Sequence, residues 1–374
     1  MKIVFTGGGT GGHLFPIIAI SRELARLAPE QTIKLYYLGP HDKEGLLTLS
    51  QDPKFIVTTV ASGKIRRYFS LKNFTDIFFN MPLGFLQSVF LLLFIRPQLV
   101  FSKGGSGSVM VTFAARILGI PIFIHESDIV PGMSNTTSSK WATKIFTSFE
   151  HTEYFDPAKT IAVGNPVKKE LQEGNKEYAK ELFELSLEKP VLLFMGGSQG
   201  AKPINDFLLS ALDTLLQSYE IIHATGNNNY AEVKAEAEVA MDKNLAKYYH
   251  VYPMLNEVAL KNAYAAADII ISRAGAGSIF EIAALGKPSI LIPLPGSAGD
   301  HQSKNAYTYA ASGAAIVIEQ ENVTPNFFAG KINFLLSQPE KMNAMSQAAL
   351  EFAKPLAAKA IAREILEYLE NQKS

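Results

Sequence analysis

Four glycine-rich segments, each following a short apolar run, carry the first chemical content of this chain: Gly7 to His13, Lys103 to Ser108, Gly196 to Lys202 and Arg273 to Gly277. A strand that runs through a glycine turn into a helix gathers backbone N–H groups at the helix N-terminus, where the dipole and the unpaired donors favour phosphate. Ser198 adds a hydroxyl donor to the third loop. A single such loop is equally well explained by tight strand-helix packing, but four together argue for a ligand bearing a diphosphate. Gly7, Gly9 and Gly12 also satisfy G-x-G-x-x-G. The dinucleotide fingerprint needs an acidic residue at the end of the second strand, and Tyr37, Leu38 and Gly39 stand there instead. The Gly196 loop fails the P-loop pattern, because its spacing is short and no Ser or Thr follows Lys202. Nicotinamide and P-loop chemistry are therefore disfavoured.

Beyond the last loop, Ser278-Ile-Phe-Glu281 has two readings. It is an S-x-x-E capping box that closes its own helix. Alternatively, Glu281 is a carboxylate beside a nucleotide loop, accepting two hydrogen bonds from ribose hydroxyls.

The elements that carry these loops read as alternating βαβ units of a parallel sheet. One series runs Ile3 to Phe5, Ile33 to Leu38, Leu99 to Ser102, Ile120 to Ile124 and Ile145 to Thr147; a second runs Val191 to Phe194, Ile221 to His223, Asp268 to Ile271, Ile290 to Pro293 and Ala315 to Ile318. Both open with a buried strand entering a glycine turn, which predicts two similar domains facing each other, 1–164 and 165–354, joined near Gly164. A terminal helix, 355–374, is expected to cross back to the first domain. Ligands of such sheets bind at the carboxyl ends of the strands, so the cleft between the two is the expected active site.

The 374 residues include 47% hydrophobic and 19% charged residues, with 35 basic and 35 acidic side chains. That composition excludes a disordered polyelectrolyte and a generically basic nucleic-acid binder. Cysteine is absent, which removes thiolate catalysis, disulfides and cysteine-based metal sites. The N-terminus reads as a first strand, not as a secretory signal. From Ile77 to Ile95 no residue is charged. Asn80, Pro82, Gly84, Gln87 and Ser88 interrupt that run. A buried or interfacial segment is expected there in preference to a membrane span, with Pro82 disturbing the helix.

Taken together, Gly8-Gly-Thr-Gly-Gly-His13 with Pro16, Lys103-Gly-Gly105, His125-Glu-Ser-Asp128 with Pro131 and Gly132, Gly164-Asn-Pro-Val167, Gly196-Gly-Ser-Gln-Gly200, and Ser272-Arg-Ala-Gly-Ala276 with Glu281 resemble the MurG family of N-acetylglucosaminyltransferases, in glycosyltransferase family 28. The resemblance covers nearly the whole chain in order. It implies the GT-B architecture, an α/β fold of two facing Rossmann-like domains with parallel sheets and an interdomain cleft. It further implies a hexosyltransferase that inverts at the anomeric carbon, with UDP-N-acetylglucosamine as donor and the lipid I acceptor, undecaprenyl-pyrophosphoryl-N-acetylmuramoyl-pentapeptide. The product is lipid II of peptidoglycan synthesis. By position, the second domain is implied to hold the donor: Ser198 at the diphosphate, Ala276, Gly277 and Ser278 at the loop, Glu281 at the ribose, Gln302 at the sugar and Met254 at the uracil. From the first domain, Thr10, Gly11 and Gly12 are implied to face the donor, with His13 beside the reacting centre. Asp128 and Lys168 stand where relatives commonly carry Asn and Arg; the first still accepts from a hydroxyl, and the second keeps the charge but loses the bidentate fork.

Inverting transfer requires a base for the acceptor C4 hydroxyl and donors for the departing diphosphate. His13 and Glu126 are the two candidates for the base. At a helix N-terminus the dipole would keep His13 neutral and able to accept a proton, and desolvation would make Glu126 more basic. Alternatively, His13 fixes loop geometry and Glu126 binds neighbouring N–H groups. No metal or other cofactor is expected, because a helix N-terminus can take the place of the cation on the diphosphate. The lipid acceptor implies a peripheral enzyme at the cytoplasmic face of the bacterial cell membrane, with proteins of cell-wall synthesis as candidate partners. Phe74, Ile77, Phe78, Phe79 and Leu83, rimmed by Lys64, Arg66, Arg67 and Lys72, would suit an anionic membrane surface; an ordinary buried helix is the alternative. Rival functions are a UDP-N-acetylglucosamine epimerase, a diacylglycerol glycosyltransferase and a silent UDP-sugar-binding protein.

Overall fold

A computed structural model of the chain describes residues 1–8, 11–40, 49, 55–63, 71–150, 153–197 and 200–372. They form two compact units, Met1–Lys168 with Pro355–Ser374, and Lys169–Lys354.

In the first unit the described strands are β1 (Lys2–Thr6), β2 (Lys34–Gly39), β3 (Phe55–Thr59), β4 (Leu99–Ser102), β5 (Ile122–Glu126), β6 (Lys144–Thr147) and β7 (Thr160–Ala162). All pair in parallel in the order β3-β2-β1-β4-β5-β6-β7, with Phe5 opposite Tyr37 on one side and Phe101 on the other. The central strands are unbroken apolar runs because helices cover both faces of the sheet and leave no solvent side for polar residues. On one face, Leu14 and Ile17 of the Gly11–Leu27 helix pack with Ile361, Ile365 and Leu369 of the Ala357–Asn371 helix. The other face buries Val4 and Val100 under Leu92 and Ile95 of the Met81–Ile95 helix and Val111 and Ala115 of the Ser108–Ile117 helix.

The helical stretch Asn73–Ile95 is 23 residues long and apolar enough to cross a membrane. Pro82 does disturb it, without ending it: Asp76–Asn80 is a π-helical turn in which Met81 N–H donates to the Asp76 carbonyl, just before the position that has no N–H to give. The buried stripe is narrow: Gly84, Ser88, Leu92 and Ile95. A Cβ on Gly84 would fall within the van der Waals shell of the Ala61 carbonyl oxygen, so only glycine permits this approach. Gln87 adds a carboxamide oxygen that accepts Ala61 N–H at 2.8 Å.

The second unit repeats the plan with β8 (Val191–Met195), β9 (Glu220–Ala224), β10 (Tyr249–Tyr252), β11 (Ile269–Ser272), β12 (Ser289–Leu291) and β13 (Ala315–Val317), parallel in the order β10-β9-β8-β11-β12-β13. Leu192, Phe194, Ile221, Ile269 and Ile290 form its core with the Lys202–Leu216 and Pro325–Leu336 helices. In each unit the strand order reverses beside the first strand, at β1/β4 and at β8/β11. That reversal opens a crevice at the carboxyl ends where ligands bind.

Three strands are absent from the sequence-based series: β3, β7 and β10. Each lies at a sheet edge. β3 and β7 contain no fully buried residue and β10 contains one, so none shows the continuous apolar signal of a central strand.

Candidate active site

In the first unit, the carboxyl ends of β1, β4 and β5 bring together His13, Lys103 and Glu126. His13 is the third residue of its helix, and its imidazole lies where a Cβ on Gly8 would meet Nδ1 at 2.9 Å and one on Gly105 would meet Nε2 at 3.2 Å. The same Gly105 Cβ would stand 2.7 Å from Gly8 Cα, and Gly105 has φ +88°, so two glycine loops close on one imidazole only because side chains are missing from both. Tyr37, at the site where a dinucleotide fold would need an acid, instead donates its hydroxyl from below to the Gly7 and Gly8 carbonyls at 3.3 and 3.4 Å.

Glu126 is buried and fully engaged. Its Oε1 accepts Asp128 N–H at 3.0 Å; its Oε2 accepts Gly132 N–H at 3.1 Å and Asn135 Nδ2 at 3.0 Å. This is the backbone-binding alternative of the sequence reading. Lys103, buried beside it, donates to Ser127 Oγ, whose own hydroxyl donates to Asn165 Oδ1 at 2.8 Å.

Burial lowers the His13 pKa to about 4, assisted by the Lys103 charge and opposed by Asp128. Desolvation first, and the neighbouring ammonium second, thus favour the neutral imidazole. Burial likewise takes Lys103 down to about 8, with Glu126 and Asp128 drawing it back. For Glu126, burial and then Asp128 raise the pKa, against Lys103 and the bonds from Asn135 and Asp128 N–H. Lys168 directs its ammonium at the Phe15 ring, 4.4 Å from the centroid.

In the second unit, Ala276, Gly277 and Ser278 are the first three residues of the Ala276–Ala284 helix, whose N-cap is Gly275. Their N–H groups belong to the unpaired first turn of the helix, the anion-binding geometry. The capping-box reading of Ser278 and Glu281 is corrected: both lie inside the helix, and no side-chain cap bond forms. Glu281 Oε2 instead accepts the hydroxyl of buried Tyr264 at 2.8 Å. Buried Arg273 donates to the Ile292 and Pro293 carbonyls at 3.1 and 3.0 Å and to Gln320 Oε1 at 2.7 Å, pinning the segment that leads to Gln302. Gln302 Oε1 accepts Leu294 N–H at 3.0 Å, which turns its NH2 into the group available to a ligand. Met254 is exposed on the loop after β10, and Gly197 and Gly200 of the third glycine loop take φ of +80° and +74°. Thr10 and Ser198 lie outside the described residues.

The apolar patch is larger than the sequence suggested. Phe74, Ile77, Phe78, Phe79 and Leu83 are exposed, and so are Leu86, Phe90, Leu93 and Phe94, the last at 79%. Its intended basic rim, Lys64, Arg66 and Arg67, lies outside the described residues, as does the side chain of Lys72. Lys103, Ser127, Asn135 and Tyr264 escaped the sequence-based list of site residues. Lys103 left a signal as a lysine opening a glycine loop, and Ser127 as part of His125-Glu-Ser-Asp128; Asn135 and Tyr264 left none.

Two open parallel sheets, each with a glycine loop and a helix N-terminus at its switch point, are the architecture of the GT-B class. The glycosyltransferase family 28 N-terminal domain matches residues 3–147 and the family 28 C-terminal domain matches residues 191–361. A Clostridium kluyveri protein named UDP-N-acetylglucosamine--N-acetylmuramyl-(pentapeptide) pyrophosphoryl-undecaprenol N-acetylglucosamine transferase is 38% identical over 94% of this chain and 96% of its own. The crystal structure of Acinetobacter baumannii MurG aligns with a TM-score of 0.71 at 25% identity, covering 98% of this chain and 99% of that one. A Neisseria meningitidis UDP-GlcNAc 2-epimerase bound to UDP-GlcNAc aligns with a TM-score of 0.69 at 16% identity, covering 98% of this chain and 100% of that one, a likeness of fold alone. The chain belongs to glycosyltransferase family 28 and is an enzyme of glycosyl transfer.

Proposed function

We propose that the chain transfers N-acetylglucosamine from UDP-N-acetylglucosamine to the C4 hydroxyl of N-acetylmuramate in lipid I, giving lipid II for peptidoglycan synthesis. The observation that carries this reading is the near full-length match to the Clostridium kluyveri transferase. Neutral His13 takes the proton of the C4 hydroxyl as that oxygen bonds to the anomeric carbon and the bond from that carbon to the diphosphate breaks. Asp128, which already opposes the lowering of the His13 pKa, stabilises the imidazolium that forms. Glu126 holds the Asp128–Gly132 turn through its backbone bonds and is not the base. Thr10, Gly11 and Gly12 face the donor, and Lys168 supplies positive charge.

On the donor side, Ser198 and the N–H groups of Ala276, Gly277 and Ser278 take the diphosphate, whose charge builds as the bond breaks. Glu281 binds the ribose, Gln302 a sugar hydroxyl, and backbone near Met254 the uracil. The exposed face of Asn73–Ile95 lies in the membrane interface at the cytoplasmic surface, and the positive charges of Arg66, Arg67 and Lys72 favour anionic headgroups. A docked helix supports this better than a span, since Gly84, Ser88, Leu92 and Ile95 already pack on the domain.

The test is UDP release from UDP-N-acetylglucosamine with and without a soluble lipid I analogue. Acceptor-dependent release with a new β1,4-linked disaccharide is expected. Epimerised sugar without acceptor, or preferential use of diacylglycerol in competition, would overturn the reading.

A further inference from the structure

Glu281 sits in the second turn of its helix, and long helical side chains lean toward the helix N-terminus, here toward the N–H groups of Ala276 to Ser278. A glutamate in that place has many rotamers, and most of them do not serve a ribose. The structure restricts them from an adjacent helix. Tyr264, on Glu257–Ala266, is completely buried, and its hydroxyl donates to Glu281 Oε2 at 2.8 Å. A buried phenol needs an acceptor, and the partly exposed carboxylate provides it. Burial together with Glu281 holds the phenol well above its ordinary pKa, so it remains a donor throughout the working range.

We propose that Tyr264 is a positioning residue for donor recognition: by anchoring one oxygen of Glu281 it fixes the carboxylate in the orientation that accepts from a ribose hydroxyl, and so makes the enzyme distinguish a ribonucleoside diphosphate from its 2′-deoxy counterpart. The proposal rests on the ribose role given to Glu281 above. It adds the group that enforces that role, and it assigns selectivity to a side chain that does not touch the ligand.

The test is calorimetric titration of the full chain with UDP and with 2′-deoxy-UDP, for the wild type, Tyr264→Phe, Glu281→Gln and the double variant, alongside steady-state kinetics. The wild type is expected to prefer UDP by about tenfold or more, the scale of one hydrogen bond to a charged group. Tyr264→Phe is expected to remove most of that preference and to raise donor KM about tenfold with little change in kcat at saturation. In the Glu281→Gln background, the same substitution is expected to change the preference no further. If Tyr264→Phe keeps the preference and lowers only kcat or the melting temperature, the tyrosine is merely structural and the proposal fails. If Glu281→Gln abolishes the preference while Tyr264→Phe preserves it, the tyrosine inference fails alone. If neither substitution changes the preference, the ribose role of Glu281 falls, and the inference with it.

Discussion

Glu126→Gln separates the two candidates for the catalytic base, because the structure assigns the substitution a definite cost. Three donors converge on the carboxylate: Asp128 N–H on Oε1, and Gly132 N–H and Asn135 Nδ2 on Oε2. Glutamine retains one acceptor. Its best orientation places the carbonyl at the Oε2 site, keeps two bonds and sets NH2 against Asp128 N–H, leaving one buried donor unpaired at a cost of about 1 to 3 kcal/mol. For a chain of this size that is a fall in Tm of roughly 1 to 4 °C. The chemistry is expected to survive. If Glu126 only holds the turn, kcat falls less than about tenfold, whereas loss of a general base costs about 100- to 10,000-fold. The assay pairs differential scanning calorimetry with acceptor-saturated turnover, and His13→Gln is the control, expected to lose about 100-fold or more in kcat with little change in Tm. A Glu126→Gln enzyme with native Tm and a turnover reduced more than about 100-fold would refute the assignment and make Glu126 the base.

Three further perturbations test other levels of the structure. Gly84→Ala would drive a methyl group into the Ala61 carbonyl and is expected to cost about 1 to 3 kcal/mol by chemical denaturation; an unchanged midpoint would mean that the helix docks differently. Burial lowers the pKa of His223 to about 3, so between pH 6.5 and 3 the unfolded chain binds one more proton at this site than the folded one, and stability falls as pH falls. His223→Gln should make that dependence shallower by about 1.4 kcal/mol per pH unit between pH 6 and 5, and identical slopes would show that the imidazole is accessible to protons when folded. Phe90→Ser with Phe94→Ser should reduce flotation with anionic liposomes while leaving turnover of a soluble acceptor analogue intact; undiminished flotation would remove the membrane role from this face.

The fold was legible wherever burial is two-sided. Val191 to Met195 is buried at every position, so periodicity alone finds it, and the glycine turns that follow such strands mark the switch points. The three missed edge strands lacked the signal for a physical reason. Phe55–Thr59 has one neighbour and partial exposure, and its alternation resembles any exposed segment. Pro82 marks a disturbance in the sequence, but sequence does not say that a π-helical turn will absorb a missing donor and let the apolar face continue to Phe94.

Legibility of the site divides along the same line. Backbone chemistry could be read in advance, because a glycine loop before a helix prescribes where N–H groups point whatever surrounds it; Ala276, Gly277 and Ser278 stand at a helix start for that reason. Side-chain chemistry could not, because the partners that give a group its function lie far away in sequence. Glu126 reads as a base in isolation and as a turn anchor once Asn135 and the two N–H groups are in place. Lys103 reads as the start of a loop, yet it is the buried ammonium that helps keep His13 neutral. Ser278 and Glu281 have the spacing of a capping box, but the helix begins at Ala276, so the spacing falls on the wrong turn and the carboxylate pairs with Tyr264 instead. A residue-type motif therefore limits what a site can do, and it is tertiary packing that assigns each role: three donors engage the Glu126 carboxylate, while burial and the Lys103 charge hold the His13 imidazole in its proton-accepting neutral form against the two glycine loops, which is why the proton transfer is assigned to it.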